Sequence, residues 1–205
     1  MGSECAMIIG LTGGIATGKS TVSALLASRG AHLIDSDQIV RLVVERGKPA
    51  YEEIVKYFGG KILLPDGQVD RKELGRIIFS NPEKRAVLEK ITHPHIFREI
   101  KERIEVAKAE GKELIFLDAP LLFETGLDRQ VDLTLLIDTD ERIQMERLIK
   151  RDQLSREEAE RRIEAQMPME EKRKKADYIL SNRGSMEELE EEVERFLKWV
   201  EEKRG

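Results

Sequence analysis

The sequence predicts an α/β fold, a five-stranded parallel sheet flanked by helices. Three observations carry this. Short apolar runs alternate with longer stretches of helical period. The runs are apolar throughout rather than at every second residue, as suits a parallel sheet covered on both faces. The first run leads straight into a glycine-rich turn and a helix start, an arrangement with its own chemistry.

The strands are expected at residues 7–12 (MIIGLT), 31–35 (AHLID), 113–118 (ELIFLD), 131–138 (VDLTLLID) and 177–180 (DYIL). Helices follow at 19–28 and 140–151, and a last one at 186–203. In that last helix Leu189, Val193, Phe196, Leu197 and Val200 form one apolar stripe, and Ser185 with Glu188 forms a capping box. The spacing between strands is uneven. Residues 36–112 separate the second strand from the third, far more than one crossover helix needs. Helical periods recur there at 39–44, 51–58, 73–79, 84–91 and 96–109, separated by Gly59-Gly60, Pro65-Asp66-Gly67 and Asn81-Pro82. The expected organisation is a core of 1–35, 111–146 and 176–205, a helical subdomain at 36–110, and a lid at 147–175. The lid stretch is dense in Arg, Lys and Glu, and Ser155 with Glu158 marks a fresh helix start within it.

Composition narrows the function. At 205 residues the chain suits one compact unit with excursions in its loops. Hydrophobic residues at 40% and charged residues at 37% describe a folded chain rather than a disordered one. The net charge of −5 argues against non-specific nucleic-acid binding. Cys5 is the single cysteine, which excludes an internal disulfide and a cysteine zinc site and reads as a free thiol. No apolar run approaches the roughly 20 residues of a membrane span, and no secretory leader is visible. A cytoplasmic protein without nucleic-acid or membrane partners is expected.

Gly13-Gly14-Ile15-Ala16-Thr17-Gly18-Lys19-Ser20 satisfies G-x-x-x-x-G-K-(S/T) between an apolar strand and a helix. Glycines let the backbone aim several N–H groups at one phosphate, and the helix N-terminus adds partial positive charge. Lys19 can reach the β- and γ-phosphates, the Ser20 hydroxyl suits Mg²⁺, and Thr21 neighbours the α-phosphate. ATP with Mg²⁺ is therefore the expected ligand. Switches, motors and kinases share such a loop. The N-K-x-D and D-x-x-G motifs of guanine-nucleotide switches and the LSGGQ signature of transporter ATPases are not found.

Ile34-Asp35-Ser36-Asp37 leaves carboxylates where doubly wound folds place ligands. Asp37 or Asp35 can align an acceptor hydroxyl and take its proton; a helix cap is the competing role for Asp35 and Ser36. Arg147 and Arg151 lie four apart on one helix face at the mouth of the lid, placed to neutralise a transferring phosphoryl group. The other arginines nearby (Arg142, Arg156, Arg161, Arg162) read as a solvated face. A lid would exclude water, preventing hydrolysis before the acceptor is in place. In Thr92-His93-Pro94-His95 the two histidines lack companions at zinc-site spacing, and Pro94 marks the first turn of a following helix. A capping or substrate-contact role is left for His93.

Taken in order, these stretches resemble the dephospho-coenzyme A kinase family. Gly10 to Thr21 (GLTGGIATGKST) is similar to that family's GLTGGIGSGKST, and Ile34 to Arg41 (IDSDQIVR) to its IDAD-x-x-AR. Gly59-Gly60 with Asp66-Gly67 and Arg71 resembles its FG…DG…(D/N)R, His93-Pro94 its HP, and Pro120 to Glu124 its PLLFE. Gln144 to Gln166 looks like its arginine-rich lid, and Ala176 to Gly184 like its AD-x-x-(I/L)-x-N-x-G. The resemblance covers about the whole chain. It implies a nucleoside-monophosphate-kinase-like P-loop NTPase fold and transfer of the γ-phosphate of ATP to the ribose 3′-hydroxyl of dephospho-coenzyme A, a small-molecule partner. It makes Asp37 the base, gives ATP to Gly13 through Thr21 with Arg147 and Arg151, and sets Asn182 at the adenine side. The acceptor falls to the stretch from Asp35 and Asp37 to His93 and His95, bordered by Pro120, Leu121 and Glu124. A monomer or weak homo-oligomer is expected. Two departures stand out: Ala16-Thr17 replaces the usual Gly-Ser, and Ser36 replaces alanine. Asp118 occupies a Walker B-like place and ranks below Asp37. Another small-molecule kinase, or a protein that holds ATP without transferring it, are the alternative readings.

Overall fold

A computed structural model of the protein describes residues 6–204; Cys5 lies outside the described residues. The sheet has five strands in the order β2-β3-β1-β4-β5. They are β1 (Met7–Gly13), β2 (His32–Asp35), β3 (Leu114–Asp118), β4 (Leu133–Asp138) and β5 (Tyr178–Ser181). β1 pairs in parallel with β3 and β4, and β4 in parallel with β5. Six of the seven residues of β1 are buried, which explains why its apolar run does not alternate. The register sets Leu11 opposite Asp118 and Gly13 opposite Ile137, so both neighbours of β1 frame the start of the glycine loop.

The described helices are α1 (Lys19–Ser28), α2 (Ser36–Val43), α3 (Pro49–Phe58), α4 (Arg71–Phe79), α5 (Pro82–Ala109), α6 (Glu141–Asp152), α7 (Arg156–Glu164), α8 (Met169–Lys175) and α9 (Met186–Arg204). None is long and apolar enough to cross a membrane. The chain forms two compact units. One takes the described residues up to Ile34 together with those from Ala107 onward; the other is Asp35–Val106.

The first unit is built on one apolar cluster. Ile9 and Leu11 of β1, Phe116 of β3, Leu135 and Ile137 of β4 and Leu180 of β5 meet Val22 and Leu26 of α1 and Leu189, Val193, Phe196 and Val200 of α9. Phe196 sets its ring edge-on to Tyr178 at 5.0 Å and to Phe116 at 6.2 Å, geometries that aromatic quadrupoles favour. Residues 147–175 belong to this unit. There Ser155 and Glu158 close a full capping box at the start of α7, and α6 ends at Gln153 in a left-handed conformation (φ 53°).

The second unit has its own cluster, with Tyr51, Ile54 and Phe58 of α3 packed with Ile62, Val69, Leu74 and Ile77. Pro65-Asp66-Gly67 makes a tight turn closed by a Leu63–Val69 bridge. Gly67 takes φ 82° there, and its carbonyl accepts from the Tyr51 hydroxyl at 2.6 Å.

One expectation is corrected in this unit. The periods at 84–91 and 96–109 are a single helix of 28 residues, α5, with Pro94 inside it rather than in a first turn. The helix starts instead at Asn81-Pro82, where the Asn81 side chain accepts from the Lys84 N–H at 2.9 Å. Pro94 forfeits one helical hydrogen bond, a cost of about 3 kcal/mol. Ile96, Ile100 and Ile104 continue one buried face beyond it. At about 1.5–3 kcal/mol each, their burial outweighs the proline.

Candidate active site

The glycine loop leaves β1 at Gly13 and enters α1 at Lys19. Its shape depends on close approaches that glycine alone permits. A Cβ at Gly14 would lie 2.8 Å from the Gln144 amide nitrogen and 2.9 Å from the Met169 sulfur, and one at Gly18 would lie 2.0 Å from the Asn182 amide. Gly18 also takes φ 93°. The feature the sequence reading singled out is strained: Ala16 has φ 60°, left-handed for a residue with a Cβ. Thr17 is buried, and its hydroxyl donates back to the Gly14 carbonyl at 2.9 Å.

Lys19 reaches from the first turn of α1 to donate to Asp118 Oδ1 at the end of β3, and the Ser23 hydroxyl donates to the other oxygen at 2.7 Å. Asp118 thus holds the loop lysine, a role not assigned to it from the sequence; Ser23 carried no sequence signal. Arg147 on α6 donates to the Asn182 carbonyl at 3.2 Å. Arg151, one turn on, is committed to its neighbour Asp152 by two bonds of 2.8 and 3.2 Å. That hydrogen bond raises the Arg151 guanidinium above its usual value and holds the Asp152 carboxyl below its own, with Arg162 adding a smaller pull.

These groups surround one cavity of about 660 Å³, within the range of small-molecule sites. The loop from Gly13 to Ser20, Pro120, Arg147, Lys150, Arg151 and Gln166 line it. Lys19, Arg147, Lys150 and Arg151 give it four cations, and its described lining holds no carboxylate. A polyanion fits such a hollow. Ser20, in the first turn of α1, is exposed, and its hydroxyl is the kind of oxygen a hard divalent cation would take as one ligand. A smaller cavity of about 270 Å³ opens beside it, with Gly18, Thr21, Arg147, Asn182 and Leu189 in its wall.

The segment after β3 is fixed from below. Lys172 of α8 is fully buried, and its ammonium meets the Glu124 carboxylate at 2.8 Å and the Pro120 carbonyl at 3.2 Å. Thr12 of β1 donates to the same carbonyl at 3.1 Å, and the Met167 N–H donates to Glu124 at 3.2 Å. Leu121 is exposed between them. Sequence reasoning missed Lys172, because within Glu170-Glu171-Lys172-Arg173-Lys174-Lys175 nothing marks one charge as interior.

In the second unit Asp35 caps α2. One oxygen accepts from the Asp37 and Gln38 N–H groups at 2.8 and 3.1 Å, and the other accepts from the Gln38 side chain at 3.1 Å. Asp37 follows in the first turn with its carboxylate exposed. His93 stacks on Phe97 at 5.6 Å. His95 faces Arg98 through Nδ1 and Glu53 through Nε2, each at 3.0 Å. A guanidinium only donates, so Nδ1 accepts and Nε2 carries the proton.

A glycine loop with its lysine held by Asp118, facing a cavity lined by Arg147, Lys150 and Arg151, suits a kinase, and known proteins agree. The sequence model of the family described as dephospho-CoA kinase matches residues 7–188. A dephospho-CoA kinase of Bacillus cereus is 48% identical over 192 residues, 94% of this chain and 96% of the relative. Among solved structures, one from Thermus thermophilus shares 39% identity with a TM-score of 0.81, covering 97% of both chains. A dephospho-CoA kinase from Campylobacter jejuni shares 32% with a TM-score of 0.73, covering 97% of this chain and 98% of that one. With the family's model spanning most of the chain on a fold built to hold phosphate, the chain belongs to the dephospho-CoA kinase family.

Proposed function

We propose that the protein transfers the terminal phosphoryl group of ATP to the ribose 3′-hydroxyl of dephospho-CoA, the last step of coenzyme A biosynthesis. The observation that carries this reading is the carboxylate-free cavity in which the glycine loop and four cations converge. When bound, ATP with Mg²⁺ would supply the phosphoryl group and neutralise part of its charge.

The chain's own residues do the rest. Backbone N–H groups between Gly13 and Thr21 bind phosphate, Lys19 steadies the β- and γ-oxygens, and Ser20 faces the metal. Arg147 balances charge developing in transfer, since Arg151 is already engaged by Asp152. Asn182 borders the adenine side, and Thr21 neighbours the α-phosphate. Residues 36–110 receive the acceptor, with His93 among its contacts, and 147–175 exclude water as a lid. Asp37 orients the attacking hydroxyl and takes its proton. Asp35 acts through the start of α2, because both its oxygens are occupied there. Pro120, Leu121 and Glu124 border the cleft.

With ATP and Mg²⁺, dephospho-CoA is expected to be phosphorylated ahead of adenylate or a sugar, with the product's phosphate on the 3′-oxygen by ³¹P spectroscopy. Preference for either competitor overturns the acceptor assignment. Asp37→Asn is expected to lower kcat by about 10²- to 10⁴-fold while ATP affinity holds, and an unchanged kcat removes Asp37 from proton transfer.

A further inference from the structure

The glycine loop is braced at Ile15 from two sides. Gln144, nearly fully buried on α6, donates from Nε2 to the Ile15 carbonyl at 2.8 Å. Gln166, between α7 and α8, accepts the Ile15 N–H through Oε1, also at 2.8 Å. The Ile15 carbonyl belongs to the peptide plane whose rotation sets φ of Ala16. That φ is 60°, a conformation that alanine avoids and that persists only where its surroundings over-determine it. A third side-chain amide, that of Asn182, holds the Thr17 carbonyl at 2.8 Å on the far side of Ala16.

We infer that Gln144 and Gln166 are positioning residues that hold the loop in its phosphate-binding shape by fixing both polar groups of Ile15. The need arises from alanine at position 16. Glycine would take the left-handed form without help. Carboxamides suit the task, because they grip a carbonyl and an N–H without adding charge to a cavity that takes phosphates. Gln166 also ties the connection between α7 and α8 to the loop. The lid's placement and the loop's geometry are therefore one adjustment rather than two.

The inference rests on the ATP-binding reading, and two measurements keep their failures apart. The first needs no nucleotide: in Gln166→Ala, exchange of the Ile15 amide with solvent, followed by NMR, should quicken about tenfold, while that of Leu136 in β4 stays as in the parent. The second is equilibrium titration with a non-hydrolysable ATP analogue and Mg²⁺. Gln144→Ala and Gln166→Ala should each weaken binding about tenfold, equivalent to ~1.4 kcal/mol. In an Ala16→Gly background the same changes should weaken it no more than about twofold. Michaelis constants should follow, rising for ATP and holding for the acceptor. Unchanged Ile15 exchange, or equal weakening in both backgrounds, overturns the inference. A parent protein that binds no analogue overturns the ATP reading instead and leaves the exchange result standing.

Discussion

Lys172 shows what one buried charge asks of its neighbours. Its ammonium is fully enclosed, and its partners are a carboxylate on the segment after β3 and a main-chain carbonyl that also serves β1. Removing one member of such a pair leaves the other unmatched, which costs more than the pair contributes. Lys172→Met is expected to destabilise the protein by about 3 kcal/mol, the lower end of the usual range because Glu124 keeps some solvent. Combining it with Glu124→Gln should cost less than the sum of the two single changes, as measured by urea unfolding. The glycine-loop residues proposed to bind phosphate were legible beforehand because that chemistry demands a fixed pattern. Lys172, Gln144 and Gln166 were not, since a buried lysine and a bracing carboxamide use residue types common on any helix face. Ala16 lies between these cases: its departure from glycine was visible, but its left-handed backbone and the side chains that impose it were not.

At the level of elements, the strands were legible to within a residue or two, most plainly β1, β3 and β4, whose burial on both faces leaves unbroken apolar runs. The misreading at Pro94 came from treating proline as a boundary when tertiary burial had already decided the matter. A proline inside α5 is a net cost carried by Ile96, Ile100 and Ile104. Pro94→Ala is therefore expected to raise stability by about 2 kcal/mol, the interior penalty less the stiffness the proline lends the unfolded chain. Ile100→Ala on the same helix, fully buried, should lower it by about 2–5 kcal/mol. Matched urea midpoints would test both signs, and a destabilised Pro94→Ala would mean that the proline bond is not missing from an otherwise regular helix. Within 147–175, α7 was legible at its start, where Ser155 and Glu158 sit at a fixed offset, whereas α8, which begins after Pro168 with no side-chain cap, was not.

Across the whole molecule, two apolar clusters are each complete within one unit, but the units differ in how the chain builds them. Asp35–Val106 is continuous, and its contacts close short loops. The sheet unit draws on both sides of that stretch: β1 lies between β3 and β4, which arrive only after it. Pulse-labelled refolding is expected to protect amides of α3, such as Ile54, before those of Ile9 and Leu11, and the opposite order would contradict this. The same topology orders events during synthesis. The glycine motif leaves the ribosome before both strands that flank it and all three side-chain amides hydrogen-bonded to it, which come after the interruption. A nascent or truncated chain ending before Asn182 carries the full motif without all of the amides that hydrogen-bond to it, so affinity for nucleotide is expected only once the chain extends past that residue.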